Sequence, residues 1–552
     1  MPRLWIVILL IPMSPILAQT PDVIYTNARI WTGAADEPWA EALAVDDGRL
    51  LDVGPAARVE ALRATGTRTV DLDGRFVVPG FIDNHTHFLS GGFQLASVDL
   101  RDADTPAEFA RRLGDFAASL PEGRWILGGD WDHERWGGDL PQRGWIDSLT
   151  AAHPVFVSRL DGHMALANSR ALALAGVTAD TPDPEGGAIV RDADTGKPTG
   201  VLKDAAMALV NRVVPDPSEE ELDDALERAM THALSLGVTQ VHDVGSLGGW
   251  TDLDTYRRAQ AQGRLRLRLY AFVPLHTWQR LDAYVRQHGL GDDWLRWGGL
   301  KGFVDGSLGS TTAWFYDPYT DAPETAGLII TDTTALRDDI LQADARRLHL
   351  AVHAIGDRAN DWLLDQFAEA AARNGARDRR FRIEHAQHLT PEAVARFARQ
   401  GVVPSMQPYH AIDDGRWAEK RIGPERLETT YAFRALLDAG AALTFGSDWT
   451  VAPIDPLEGI YAAVTRRTLD GANPDGWVPQ QKITVEEALH AYTAANAYAG
   501  FQEARLGTLE PGKWADFVVL SESLFEIDPV AIPDVRVLRT VVGGQDQYVV
   551  DD

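Results

Sequence analysis

Residues 79–87 read Pro-Gly-Phe-Ile-Asp-Asn-His-Thr-His, a short apolar run that ends in two histidines one residue apart. An apolar run that follows turn-forming residues predicts a buried β-strand. Because alternate residues of a strand point to the same face, His85 and His87 can both point inward at one ion. A pair of this kind is more often a surface or hydrogen-bonded pair, so its meaning depends on the rest of the chain.

Seven further apolar runs with polar ends follow, and amphipathic stretches separate most of them. One such stretch begins with Ser218-Glu219-Glu220-Glu221, which has the form of a helix capping box. Alternating strands and helices are typical of parallel βα units, and eight units predict an α/β fold with a (β/α)8 TIM-like barrel. The eight strand candidates are Val77–Asp83, Gly237–Gly245, Leu265–Pro274, Gly298–Gly306, His349–Asp357, Arg380–Gln387, Gly401–Pro408 and Ala442–Trp449.

Other β-like runs lie at the two ends of the chain, where Gly, Asp and Pro turn signals separate them. We expect residues 19–78 and 500–552 to form one discontinuous small β-sandwich domain, which leaves residues 79–499 for the barrel. The segment from about 91 to 217 is too long for a βα loop. It predicts a large insertion after barrel strand 1, placed to roof an active site.

The carboxyl ends of barrel strands are where active-site residues lie. Here those ends carry His353, His385 and Asp448 besides the first histidine pair, and strand four contains Lys301. A lone histidine at such an end is more often a satisfied polar group, and a Ser-Asp before a turn is usually a cap. Their joint occurrence predicts a divalent-metal site, with Zn²⁺ as first choice and Fe²⁺, Mn²⁺ and Co²⁺ left open.

The charge balance excludes several classes of partner. Lys and Arg total 52 against 80 Asp and Glu, so the formal net charge is −28. Nucleic-acid phosphates and anionic membrane surfaces repel a polyanion, and the sequence has no basic run and no nucleotide-binding glycine motif. We expect a small-molecule substrate and leave a homo-oligomer open. The absence of cysteine excludes disulfides, Fe–S clusters and thiolate-bound zinc.

The amino terminus has the pattern of a targeting segment. Met1-Pro2-Arg3 supplies a positive charge, an apolar run extends to Leu17, and Ala18-Gln19-Thr20 follows. Residues 1–18 are therefore predicted to be a secretory signal peptide, and the mature protein to be exported, periplasmic or secreted, without stable membrane association. Ile16 is not the small residue that cleavage favours, which leaves an uncleaved anchor as the alternative.

The strand-end motifs resemble those of the amidohydrolase superfamily of metal-dependent hydrolases. They are most similar to the amidohydrolase-3 group, which includes YtcJ-like proteins and N-substituted formamide deformylases. The resemblance covers essentially the whole mature chain. The segments that carry it are residues 79–87, 161–169, 301–310, 353–359, 384–387, 446–449 and 509–516.

This resemblance implies a binuclear metal centre with one or two divalent ions per chain. The implied ligands are His85, His87 and Asp448 for the more buried ion and His353 and His385 for the more exposed one. Lys301 would bridge the ions as a carbamate, since a carboxylated lysine presents two anionic oxygens. The alternative for Lys301 is an ion pair with Asp305 or another carboxylate of the barrel.

A centre of this kind predicts hydrolysis. A metal-bound hydroxide would attack a polarised carbonyl carbon, while Asp448 accepts the proton and passes it to the leaving amine. His163, which the resemblance singles out, would hydrogen-bond the carbonyl oxygen. The expected reaction is cleavage of a non-peptide C–N bond in an amide, an N-substituted formamide or a cyclic amide.

Other interpretations of the same residues stay open. A metal-dependent esterase, lactonase or deaminase would use the same ligands, because fold and metals do not fix the substrate. A non-catalytic metal-binding or solute-binding protein is a further alternative, although simple binding needs no acid/base beside a metal. Trp131, Gln407, Tyr409 and Trp449 could face the pocket, but aromatic side chains in a roof more often serve packing.

Overall fold

The computed structural model describes residues 20–160, 162, 164–184 and 187–550. The predicted signal peptide, residues 1–18, and the predicted catalytic residue His163 lie outside the described residues. Among the residues that are described, no helix combines the length and the apolar character that crossing a membrane requires.

Seven short strands near the amino terminus contribute to two sheets. Gly, Asp and Pro turns separate them, as the sequence pattern predicts. The strands are β1 Val23–Thr26, β2 Arg29–Trp31, β3 Trp39–Ala40, β4 Ala42–Asp46, β5 Arg49–Gly54, β6 Arg68–Asp71 and β7 Phe76–Pro79, with the short helix α1 Ala56–Glu60 after β5. Four of these strands form one sheet in the order β5-β4-β1-β6.

The first barrel strand, β8 Phe81–Thr86, is followed by a long insertion. The elements of the insertion are α2 Phe88–Gln94, α3 Pro106–Ser119, β9 Ile126–Trp131, β10 Val155–Arg159, β11 Met164–Ala167, α4 Ser169–Ala175, β12 Gly187–Arg191, β13 Pro198–Asp204 and α5 Ala208–Asn211. Its strands form a sheet of their own, in the order β12-β13-β11-β10-β9. Trp131 is fully buried in the core of this sheet and donates its indole N–H to the Val157 carbonyl at 2.8 Å, so it packs the insertion.

The remaining barrel strands alternate with helices. The strands are β14 Val238–Asp243, β15 Arg268–Pro274, β16 Leu295–Phe303, β17 His349–Ala354, β18 Arg382–His385, β19 Val403–Met406 and β20 Thr444–Phe445. Neighbours are parallel, and their order follows the chain from β8 to β20. The ring closes where Thr86 forms a bridge with Trp449. The expected barrel is confirmed.

Helices surround the barrel, and the first of them shows how the sequence sets their limits. They are α6 Glu219–Ser235, α7 Trp250–Ala261, α8 Trp278–His288, α9 Thr333–Ala345, α10 Asp357–Asn374, α11 Pro391–Gln400, α12 Pro408–Asp414, α13 Ala418–Ile422, α14 Phe433–Asp438, α15 Pro456–Thr465, α16 Val485–Tyr492 and α17 Ala494–Ala499. The predicted capping box is present at α6, where Ser218 and Glu221 each accept the other's backbone amide. Leu222, Leu226 and Met230 recur at helical spacing and are buried.

Both ends of the chain share a second sheet. The last strands are β21 Phe517–Leu520, β22 Val537–Val542 and β23 Gln545–Val549, and the sheet order is β23-β22-β21-β7-β2-β3. The expected single strand Val77–Asp83 is therefore two strands, which separate at Gly80. The Thr239 side chain lies only 2.3 Å from where a Cβ of Gly80 would be, so glycine permits this close approach.

A buried ion pair joins the barrel to this sheet. Arg268 of β15 donates from Nε and Nη2 to the Asp516 carboxylate at 2.6 and 2.9 Å. Its guanidinium also lies 4.8 Å from the ring centre of Trp294 and 4.7 Å from that of Trp514. Since a buried charge without its partner is costly, each residue of the pair depends on the other.

Replacing Asp516 by Asn leaves the Arg268 charge buried without its partner. We expect the free energy of unfolding to fall by about 3–5 kcal/mol, seen as a lower urea midpoint by circular dichroism. The matched control is Asp115→Asn, which removes an exposed pair with Arg111 and should cost less than about 1 kcal/mol. Equal midpoints for the two variants would show that the buried pair contributes little.

Candidate metal centre

Three side chains converge at the carboxyl ends of the barrel strands. His85 lies near the end of β8, His385 ends β18, and Asp448 follows β20. All three are buried, and one ligand atom from each lies within 4.8 Å of the other two. In the part of the chain that the structure describes, this is the one group of three histidine or acidic side chains so placed.

The backbone around this group adopts unusual conformations. His385 has φ 74° and Asp448 has φ 60°, in the left-handed region that residues other than glycine rarely adopt. The Asp83 carboxylate accepts the amide of Ser447 at 3.0 Å and the amide of His85 at 3.1 Å. These bonds tie β8 to the loop after β20 and so hold the strained Asp448 in place.

His87 faces the Asp448 carboxylate, as its alternation with His85 predicts. Its Nε2 lies 3.3 Å from Asp448 Oδ1, and its Nδ1 donates to the carbonyl oxygen of Gly245 at 2.6 Å. Burial disfavours both charged forms, yet Asp448 raises the pKa of His87. The contact with His87 in turn holds the pKa of the carboxylate well below its usual range, so Asp448 stays ionised.

Lys301 lies beside the group, with its Nζ 3.2 Å from His85 Nε2. It is 4% exposed, and burial lowers its pKa to about 8. Asp305, the alternative partner, instead accepts three backbone amides, the nearest at 2.7 Å. Lys301 therefore lies with the histidines. In the part of the chain that the structure describes, it forms no ion pair with Asp305, whose carboxylate lies near His353 instead.

His353 is the predicted ligand that points elsewhere. Its ring centre lies 4.5 Å from that of His385, but its Nε2 donates to the carbonyl oxygen of Gly306 at 3.0 Å. The resemblance pairs His353 with His385 at the more exposed ion. In the structure His385 instead lies with His85 and Asp448, and His353 would bind an ion there through Nδ1 or after its ring turns.

A buried ion pair behind His85 was not singled out from the sequence. Glu384 accepts a hydrogen bond from His85 Nδ1, and Arg382 donates to Glu384 Oε1 at 2.7 Å. Ser405 adds a third bond at 2.7 Å. Burial opposes a charge on Glu384, but Arg382 and His85 hold its pKa well below the usual range. The ionised carboxylate keeps the hydrogen on His85 Nδ1 and leaves Nε2 free for an ion.

Gln407 stands behind the second histidine in the same way. Its side-chain oxygen lies 2.8 Å from His385 Nδ1, which leaves the other ring nitrogen free.

Two aromatic residues that could face the pocket differ in their surroundings. Trp449 is 3% exposed, and the centre of its ring lies 5.6 Å from that of His232, so it belongs to the core rather than to the pocket. Tyr409 is half-buried, and burial raises its pKa to about 12.

The donor set fits a divalent cation. Neutral imidazoles and a carboxylate are ligands that Zn²⁺ and related ions accept. Burial lowers the pKa of His85 to about 4 and that of His385 well below its usual value, so both rings are neutral. Asp448 Oδ1 is buried, and among the described residues it has only the 3.3 Å contact with His87 Nε2 and no well-aligned hydrogen bond. A cation bound by the three residues would satisfy this oxygen.

A parallel eight-stranded barrel with such residues at its strand ends defines a class, the metal-dependent barrel hydrolases. The model of one family in this class, Amidohydro_3, described as the amidohydrolase family, matches residues 68–548. The chain belongs to the amidohydrolase family, which confirms the resemblance of its strand-end motifs.

Individual relatives agree over nearly the full length. The chain is 43% identical to Protein LONG AFTER FAR-RED 3 of Arabidopsis thaliana over 97% of this chain and 93% of that protein. It is 31% identical to N-substituted formamide deformylase of Arthrobacter pascens, over 96% and 99% of the two chains. A crystal structure of an uncharacterized metal-dependent hydrolase from Pyrococcus horikoshii is similar with a TM-score of 0.77 and 28% identity, over 92% and 99% of the two chains.

Replacing Glu384 by Gln removes the charge that fixes the hydrogen on His85. We expect Zn²⁺ affinity to fall about 10- to 100-fold, measured by competition with a chromophoric chelator on metal-depleted protein. Circular dichroism is recorded in parallel, because Arg382 also loses its partner. The control is Glu392→Gln on the exposed face of α11, which should bind as wild type. A folded Glu384→Gln protein with wild-type affinity would contradict the assigned role.

Proposed function

We propose that this amidohydrolase cleaves a C–N bond of a small non-peptide amide, with N-substituted formamides and cyclic amides as the substrate classes. The observation that carries the proposal is the buried Asp448 carboxylate among three histidines at the barrel mouth. A buried carboxylate oxygen without a well-aligned hydrogen bond can bind a metal ion or accept a proton. The N-substituted formamide deformylase relative supports the choice of bond.

We assign two ions to these residues: His85, His87 and Asp448 would hold one, and His385 would hold the other, with His353 joining it when its ring turns. A bound divalent cation supplies an activated water and polarises the carbonyl oxygen. The chain's own residues then hold the reacting groups. The partner of His85 at Nδ1 is Glu384 and that of His385 is Gln407, so both imidazoles keep a fixed orientation.

Asp448 is the group we propose as general acid and base. Its carboxylate is ionised because the contact with His87 outweighs the effect of burial on its pKa. It can therefore accept a proton from the attacking water and deliver that proton to the leaving nitrogen. Expulsion of an amine needs this second transfer, since an amide nitrogen leaves poorly as an anion.

We further propose that Lys301 becomes carboxylated, and its carbamate oxygens would then help to hold the two ions. A cationic Nζ only 3.2 Å from the ligand atom of His85 would compete with a metal ion there. The neutral amine, which burial favours by lowering the pKa to about 8, can add to CO₂ with loss of one proton. The product is an anion with two oxygens, which attracts cations where the ammonium repels them.

The test is turnover by the zinc-loaded protein on N-alkyl formamides and on formate esters of matching alcohols. We expect formamides to be cleaved faster than the esters relative to the uncatalysed rates. Asp448→Asn should lower kcat by about 10²- to 10⁴-fold with the fold intact, since the amide side chain cannot take the proton. The control Asp475→Asn, at an exposed loop position, should retain full activity.

Two results would contradict this proposal. Preferential ester cleavage by wild type would favour the esterase interpretation of the same residues. A folded Asp448→Asn protein with unchanged kcat would remove Asp448 from the proton transfers.

A further inference from the structure

A further buried histidine, absent from the predicted ligand set, lies just beyond the carboxyl end of barrel strand β19. His410 is in the first turn of α12, which begins directly after Gln407. The residue is 8% exposed, and its ring is nearly parallel to that of His385, with ring centres 6.3 Å apart. Its Nε2 lies 3.8 Å from Asp448 Oδ2. His410 therefore forms one wall of the site beside the proposed acid/base.

The position of the hydrogen on this ring follows from its other neighbour. Gln387 Nε2 lies 3.5 Å from His410 Nδ1, and an amide NH₂ group can only donate. His410 Nδ1 is then the acceptor, so the neutral ring carries its hydrogen on Nε2. That hydrogen is directed at the site and not at the protein behind it.

The Nε2–H group has no partner to donate to. Its distance from Asp448 Oδ2 exceeds a hydrogen bond, and among the described residues the buried nitrogen makes no other. Buried polar groups are almost always hydrogen-bonded, so an unpaired donor that faces a reaction site needs an acceptor from outside the chain. The acceptor that a hydrolase of amides brings to this place is the carbonyl oxygen of its substrate.

We propose that His410 is a catalytic residue whose Nε2–H donates a hydrogen bond to the substrate carbonyl oxygen as negative charge develops on it. The proposal rests on the hydrolase function proposed above. The donor lies 3.8 Å from Asp448 Oδ2, whereas His87 Nε2 lies 3.3 Å from Oδ1, so the two rings approach different oxygens of the carboxylate. The carbonyl oxygen would thus be fixed by a protein donor in addition to the cation.

The hydrogen on His410 Nε2 distinguishes a hydrogen-bond donor from a metal ligand. A nitrogen that carries a hydrogen has no lone pair for an ion, and the 3.5 Å contact from the Gln387 amide favours the tautomer with the hydrogen on Nε2. The metal content of His410 variants should therefore equal that of wild type. A large loss of Zn²⁺ in these variants would make His410 a ligand and overturn the proposal.

Three substitutions test the donor itself. His410→Phe keeps an aromatic ring at this position and removes the donor, and kcat/KM on N-alkyl formamides should fall about 10²- to 10³-fold. His410→Gln can place an amide N–H near the Nε2 position and should recover most of this loss. His410→Asn places its donor near the Nδ1 position and should stay as poor as His410→Phe. Equal activity of the Gln and Asn variants would overturn the proposal, because a packing role does not distinguish them in this way.

A binding measurement separates failure of this inference from failure of the proposed reaction. Formate, whose oxygens resemble those of a hydrolysed formyl group, is titrated calorimetrically into the zinc-loaded full chain. We expect its Kd to rise about tenfold in His410→Phe and to stay near wild type in the exposed control His288→Gln. If wild type hydrolyses no amide but this difference holds, only the proposed reaction fails. Identical formate affinities in wild type and His410→Phe, including no binding by either, would overturn the role of His410.

Discussion

The interaction on which the site depends is the buried contact between the Glu384 carboxylate, Arg382 and His85. Three polar groups without exposure to water are tolerated because each satisfies the others. Arg382 also donates to the backbone carbonyl of Asn84, at 2.5 Å, and so holds β8 against β18. The network thus stabilises two barrel strands and orients the first histidine, which makes the fold and the candidate metal site parts of one arrangement.

Closure of the barrel between its first and last strands brings Asp448 to the histidines. Strand β20 has only two residues, Thr444–Phe445, so little of the closure comes from a regular ladder. Polar bonds supply it: the Asp448 amide donates to the His85 carbonyl at 2.8 Å, and Asn84 Nδ2 donates to Thr444 Oγ1 at 2.7 Å. Asp448 therefore reaches the histidines because the first and last strands of the barrel meet there. Asp448 and the histidines then shape each other's pKa.

The barrel and most of its candidate ligands could be predicted, because apolar runs mark the strands and parallel strands end at one face. Other features depend on three-dimensional contacts. Alternation would put Glu384 and His385 on opposite faces, but the left-handed backbone of His385 turns its ring back into the site. The place of His410 depends on how α12 packs after β19. The break at Gly80 lies inside an unbroken apolar run, which carries no period to reveal it.

The central claim is that these residues hold metal at the mouth of the barrel. Its most direct test is the zinc content per chain, by elemental analysis of reconstituted wild-type protein and of Lys301→Ala. The account predicts about two equivalents for wild type, and one or fewer for the variant, since a carbamate at Lys301 is the proposed bridge. Full metal content in Lys301→Ala would remove the bridge. Wild-type protein that cannot be loaded with zinc or a related ion would contradict the account as a whole.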